Sequence, residues 1–263
     1  MAIRIWYQSM APLGHLPNYV AALQRHADRF IESDIAVTFN GSSECWYGEY
    51  PPTELLKYPY AKLIIQQEAI DLCRKAEADG YDAVILGSFS EPFLLEIRSL
   101  LDIPVVSMPE SALLIACSLA EQIALVPLGP AGAKRVRATV NRHGLGARIC
   151  GIQPLSNPVT ESDLETTFDA PESVIKDFDA VARSLVRAGA DVVIPAEGML
   201  NELLYWNGLH RLDGAVVMDC VGAALAYATM LVRLQRATGI GVGRHWSYIR
   251  PPAEILSSLD ALR

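Results

Sequence analysis

The chain has 263 residues, of which 51% are hydrophobic and 20% charged, with a formal net charge of −8 and a pI near 5.2. This is the composition of a globular protein with a sizeable core, and its acidity argues against nucleic acid as a partner, because phosphate binding needs clustered Lys and Arg. No apolar run approaches the roughly 20 residues of a membrane helix, and the opening Met-Ala-Ile-Arg-Ile-Trp-Tyr has no signal-peptide anatomy; the expectation is a cytoplasmic protein with no membrane partner. Five cysteines at 45, 73, 117, 150 and 220 show neither disulfide-framework nor zinc spacing.

In chain order, Ile3 to Tyr7 reads as a strand ending at Gln8-Ser9. Residues 18–31 have helical spacing, with Val20, Leu23, Ala27 and Phe30 on one face. A second strand at 35–39 leads into an irregular stretch, 40–59, whose length suits a functional loop. Residues 60–78 read as an amphipathic helix burying Leu63, Ile64, Ile70, Cys73 and Ala76, and stopped by Gly80. Strand 82–87, a proline-initiated helix after Pro92, strand 105–107 and helix 110–119 follow.

At Ile123 the pattern restarts. Strand 123–126, helix 131–142, strand 147–152, a polar loop over 154–170, helix 172–187, strand 191–195, helix 199–206, strand 215–218 and a long helix over 221–236 come in turn. A short helix after Pro251-Pro252 closes the chain. Helices alternating with continuous β-branched runs imply parallel sheets, so the fold class is α/β. The two halves predict two pseudosymmetric lobes, each a parallel sheet flanked by helices, facing across a cleft. The expected division is 1–112 plus 222–263 for lobe 1 and 113–221 for lobe 2.

One motif occurs in both halves. Asp-Gly-Tyr-Asp-Ala-Val-Ile-Leu-Gly-Ser at 79–88 aligns with Ala-Gly-Ala-Asp-Val-Val-Ile-Pro-Ala-Glu at 188–197, placing Gly80 on Gly189, Asp82 on Asp191 and Ser88 on Glu197. Ligands of open α/β sheets sit at the carboxyl ends of strands, so Ser88 and Glu197 are expected on opposite walls of the cleft.

These repeats, with Ser-Met-Pro-Glu-Ser at 107–111, Val-Val-Met-Asp-Cys-Val at 216–221 and Gly-Arg-His-Trp-Ser-Tyr-Ile-Arg-Pro-Pro at 243–252, resemble the aspartate/glutamate/hydantoin racemase superfamily, most closely its hydantoin-racemase branch. The resemblance implies cofactor-free proton transfer next to a carbonyl. In that family two facing cysteines do the work, and the matching positions here are Ser88 and Glu197. An unassisted serine is a poor acid and a poor base, whereas a desolvated glutamate serves as either. The pair therefore disfavours two-base racemisation. One-base isomerisation, decarboxylation, or hydrolysis by Ser88 or a Glu197-activated water all remain open, as does a non-catalytic binding protein.

For a nucleophilic Ser88 the resemblance points to His245 as the base, in a closing segment that packs over the cleft. Expected substrate contacts are Gln8, Ser9, Phe89, Ser90, Glu110, Gly198, Asp219 and Arg244. Simpler readings stand beside these: Ser88 as a plain hydrogen-bond donor, Glu197, Glu91 and Glu110 as helix caps, Asp219 as a strand-to-helix turn residue. His15 and His210 read as surface or satisfied residues, and His26 and His143 as having no partner in view. Cys73, Cys117 and Cys150 read as buried small hydrophobes, while Cys45 and Cys220 are within reach of the cleft. Trp46, Tyr47, Tyr50, Phe89 and Trp246 are expected in loops that rim it. A small-molecule substrate, no metal, no cofactor and compatibility with a homo-oligomer complete the expectation.

Overall fold

The computed structural model describes residues 2–30, 34–50 and 55–261. The expected helix end at Ile31, residues 51–54 of the long loop and the side chain of Phe30 lie outside that description. The first half contains strands β1 (Ile3–Gln8), β2 (Ile35–Asn40), β3 (Ala83–Leu86) and β4 (Val105–Ser107), alternating with helices α1 (Pro17–Phe30), α2 (Pro59–Ala78), α3 (Leu94–Leu100) and α4 (Met108–Leu119). The second half contains β5 (Ile123–Val126), α5 (Pro130–Arg142), β6 (Ile149–Ile152), α6 (Glu161–Thr167), α7 (Glu172–Arg187), β7 (Val192–Pro195), α8 (Gly198–Trp206), β8 (Arg211–Leu212), β9 (Ala215–Val217) and α9 (Cys220–Thr238). Helix α10 (Ala253–Asp260) closes the chain.

The strands form two sheets of orders β2-β1-β3-β4 and β6-β5-β7-β9-β8, all parallel except the β8–β9 pair. In each sheet the first strand of the repeat lies beside the third, so Tyr7 pairs with Ile85 and Leu125 with Ile194. The fold is thus α/β with two sheets, each flanked by helices. Strands β3, β4, β5 and β7 are buried throughout, as continuous apolar runs require. One hydrophobic cluster runs from Ile3, Ile5 and Tyr7 in the first sheet to Leu125, Val193 and Ile194 in the second. A smaller one, around Trp6, Cys73, Leu86 and Ile97, covers the other face of the first sheet. No helix among the described residues is long and apolar enough to cross a membrane.

Several local expectations need correction. Helix α2 turns Ile65, Gln66, Ala69, Cys73 and Ala76 inward, while Leu63 and Ile64 are 49% and 38% exposed. The polar stretch 154–170 is not all loop: Thr160 and Asp163 form a reciprocal capping box that starts α6. Short β8 was hidden by its two-residue length. Cys150 is exposed and Cys117 half-buried, so only Cys73 of the three expected core thiols is buried.

Helix α1 departs most usefully from expectation. Its buried stripe is Tyr19, Ala22, Leu23, His26 and Ala27, the i, i+3, i+4, i+7, i+8 spacing of a core-facing helix. Two of those positions are polar, and both proved to have partners from the other half of the chain or from β1.

Candidate active site

Strands β3 and β7 deliver Ser88 and Glu197 just beyond their carboxyl ends, and both side chains keep a partly exposed edge. Glu197 is the N-cap of α8, its carboxylate accepting from Leu200 N at 2.8 Å. Surrounding protein mass pushes its carboxyl up to about 7, with the charge of Glu161 adding to the effect and the amides of Leu200, Met199 and Gly198 opposing it. A cap and an acid/base group are therefore the same residue.

The Ser88 hydroxyl lies 3.0 Å from that of Ser90 and accepts from Ser90 N at 3.3 Å. The turn that carries it is held in an uncommon conformation, with Glu91 at φ 37° and Phe93 at φ 58°. Part of what holds it comes from the other half of the chain. The fully buried Glu91 carboxylate accepts from Ser107 Oγ at 2.6 Å, Arg142 Nη1 at 2.8 Å and His143 Nε2 at 2.9 Å. His143 Nδ1 also stands 3.6 Å from Glu110, which is ion-paired with Arg98. Thr139 Oγ1 donates to the Phe89 carbonyl at 3.4 Å. His143 thus has two carboxylate partners where none was expected, Glu91 is no helix cap, and Ser107 caps α4 instead of Glu110.

Between the two walls stand two tyrosines that sequence reasoning missed. Tyr7, on β1, is 0% exposed and Tyr19, on α1, 3%. Their hydroxyls are 3.3 Å apart. The Tyr7 ring lies so close to Gly87 that a Cβ there would stand 2.2 Å from the ring. The Tyr19 hydroxyl lies 2.5 Å from where a Cβ on Gly198 would be. The glycines next to Ser88 and Glu197 are thus the seats of a phenol pair that spans from one wall to the other. Burial pushes both phenols well above their ordinary range, and Glu197 adds to this for each, so both are neutral donors. The available signal was Gly87 and Gly198, each beside a candidate residue and each without a turn to explain it.

Behind α8 a second network holds α1. The buried His26 ring places Nδ1 2.8 Å from Glu202 and Nε2 2.9 Å from Asp219, and stacks on Tyr205 at 4.1 Å. Burial opposes its charge, but the two carboxylates outweigh that and raise its pKa to about 9. Burial likewise pushes Asp219 up, yet the contact with His26 wins and holds it below the ordinary carboxylate range. Asp219 also caps α9 and accepts from Asn201. At the start of α1, Glu165 of α6 accepts from Asn18 N at 2.6 Å and Tyr19 N at 3.1 Å. His26 was expected to have no partner; it has a carboxylate on each ring nitrogen and an aromatic ring stacked on its face.

The remaining expected contacts divide. Ser90 and Gly198 adjoin Ser88 and Glu197, and Phe89 is buried beside them. Gln8 and Ser9 are buried and used locally: Gln8 binds Trp6, Asn40 and the Ser9 carbonyl, and Ser9 Oγ accepts from Ala11 N. Arg244 is spent on the carbonyls of Arg98, Ser99, Leu101 and Tyr248 and on Asp102, clipping the tail to the end of α3. His245 is exposed, its ring edge-on to Trp246, itself 79% exposed. Of the expected rim aromatics, Tyr47 and Phe89 are buried, and Trp46, Tyr50 and Trp246 exposed. Cys220 is buried at the start of α9, with burial pushing its thiol well up. Among the described residues no group of His, Cys, Asp and Glu is arranged to hold a metal ion.

With this geometry in place, comparison with known proteins locates the chain. A family model described as Asp/Glu/Hydantoin racemase matches residues 53–228. Hydantoin racemase of Pseudomonas sp. (strain NS671) is 25% identical over 169 residues, which is 64% of this chain and 66% of that relative's length. Among solved structures, allantoin racemase from Klebsiella pneumoniae superposes with a TM-score of 0.76 at 20% identity, covering 95% of this chain and 94% of the other. Allantoin racemase from Pseudomonas fluorescens gives 0.74 at 19%, covering 95% and 97%. At these identities the structural likeness is one of fold.

Proposed function

Because the chain belongs to the Asp/Glu/hydantoin racemase family, we propose that it is a cofactor-independent enzyme moving a proton at the carbon next to a carbonyl of a small cyclic amide or carboxylic acid, with Glu197 as acid and base. The observation that carries this reading is the Glu197 carboxyl poised at about 7 beside the α8 amides. A general acid/base works best with a pKa near the working pH, and amides at a helix start stabilise a developing anion. Substrate binding excludes water from such a carboxylate and strengthens both effects.

Ser88 is assigned as a binder of a polar substrate group. Its hydroxyl is hydrogen-bonded with that of Ser90, and His245, the expected base, is exposed against Trp246. A nucleophilic Ser88 would need a base beside it, so proton transfer by Glu197 is preferred over covalent attack by Ser88. With one carboxyl and one hydroxyl at the paired positions, proton removal and return take place on one face of the carbon. Return to the same carbon gives solvent exchange with retention, and isomerisation by this one base delivers the proton to a second atom of the substrate; the small-molecule substrate class is that of hydantoins and related cyclic amides, as the names of the relatives suggest.

The test is incubation in heavy water with a panel of 5-substituted hydantoins and 2-substituted carboxylic acids, followed by proton NMR. Loss of the α-proton signal in the native protein, abolished in Glu197→Gln, is the expected result. No exchange with any member, or exchange indifferent to Glu197, would overturn the assignment.

A further inference from the structure

Two phenols carry two hydroxyl hydrogens, and the Tyr7–Tyr19 contact uses one. Whichever ring donates across the 3.3 Å gap, the other O–H has no acceptor among the described residues. Both rings are buried. A buried donor without an acceptor is destabilising, and buried hydroxyls are overwhelmingly paired. The surroundings are built to keep the pair there: Gly87 and Gly198 both lack the side chain that would collide with it. The Glu165 carboxylate fixes the amide of Tyr19 itself.

We propose that this spare phenolic hydrogen belongs to the substrate: the Tyr7–Tyr19 pair is the neutral hydrogen-bond donor for the carbonyl or carboxylate oxygen of the molecule whose proton Glu197 moves. The assignment rests on the proposed reaction. Glu197 takes the proton from carbon, the C–H electron pair moves into the carbon–carbonyl bond, and negative charge gathers on the carbonyl oxygen. The phenol donates a hydrogen bond to that oxygen and keeps its proton. Return of the proton from Glu197 to the same carbon restores the starting bonds. A neutral donor suits this task, since its hydrogen bond strengthens as the oxygen becomes an anion. The second tyrosine accepts from or donates to the first and so fixes its direction, which makes one of the two a catalytic contact and the other a positioning residue.

The experiment uses the full chain labelled with 13Cζ-tyrosine and 13Cδ-glutamate, titrated with hydantoin and, separately, with acetate. Signals are assigned by Tyr7→Phe, Tyr19→Phe and Glu197→Gln. The expected result is movement of the Tyr7 or Tyr19 Cζ signal on adding a probe. In the exchange assay, kcat should fall roughly 100-fold in the variant that removes the contacting phenol, with KM changed far less. A merely structural pair would leave the Cζ signals still and would change stability without splitting kcat from KM. Movement of neither signal with either probe overturns the proposal. The parent reading fails separately, by titration of Glu197 in the ordinary carboxylate range or by exchange indifferent to Glu197→Gln.

Discussion

The hydroxyl of Tyr19 occupies the space in which any side chain on Gly198 would have to begin, 2.5 Å from the position of a Cβ. The next nearest atoms, Met108 Cε at 3.4 Å and Tyr19 Cζ at 3.5 Å, leave ordinary room. The clash is therefore with one oxygen. Gly198→Ala should destabilise the protein by about 1–3 kcal/mol, and Tyr19→Phe in the same chain should recover most of that loss. Urea unfolding of the two single variants and the double variant measures the coupling; additive effects would place the hydroxyl elsewhere.

Replacing Glu197 with glutamine separates chemistry from stability. Proton exchange should fall by at least about 100-fold, and the limb near pH 7 in the rate profile should vanish with it. Stability should move the other way. A carboxyl raised from 4.5 to about 7 favours the folded state below pH 4.5, and that contribution is lost as the pH rises through 7. The native protein therefore carries a penalty on the order of 3 kcal/mol above pH 7. Glu197→Gln removes it, less the weaker cap. Melting temperatures at pH 5 and pH 8 should show a gain for the variant only at the higher pH.

His26 sets a second pH dependence. Its folded pKa of about 9 lies above the 6.5 of a free imidazole, so its stabilisation is complete below pH 6.5 and is lost as the pH rises through 9. Asp219 works in the opposite direction, its contribution present above about pH 4 and lost as the pH falls. Stability from this triad should be greatest between the two. His26→Ala leaves the buried Glu202 and the half-buried Asp219 facing each other and should cost about 3–5 kcal/mol at pH 6. The deficit should shrink on moving to pH 10, as chemical denaturation across that range will show.

Glu91 is a buried carboxylate at a left-handed backbone position, and its two properties can be separated by substitution. Glu91→Gly relieves the backbone, worth about 1 kcal/mol, but strands Ser107, Arg142 and His143. Glu91→Gln keeps the backbone cost and some of the hydrogen bonds. Both should destabilise, the glycine variant more, by about 3–5 kcal/mol in total, as read by thermal unfolding. A glycine variant as stable as the native chain would mean that the contact across the two halves carries no weight.

The parts of the fold that were legible in the sequence are those written in period and punctuation. Continuous apolar runs gave β3 and β7, and the Gly80 and Gly189 caps placed their starts, so Ser88 and Glu197 could be located at strand ends. What escaped was polar chemistry hidden inside apolar periodicity. Tyr7 reads as one more strand residue, and Tyr19 and His26 as interruptions of a helix stripe. Their partners Gly198, Glu202 and Asp219 lie about 180 to 200 residues away, and no spacing rule reaches that far. Arg244 shows the converse: a motif in the tail was read toward the cleft, while its guanidinium binds carbonyls at the end of α3.

Glu165 reaches from the second repeat to the first turn of α1, where it accepts from two backbone amides. The same helix sends His26 back into carboxylates of the second repeat. A gene cut between the repeats would leave one product with an uncapped helix and an unpaired buried imidazole. The other would hold acidic side chains facing nothing. The repeat is visible as a pattern of strands, yet each half supplies hydrogen-bond partners to buried groups of the other.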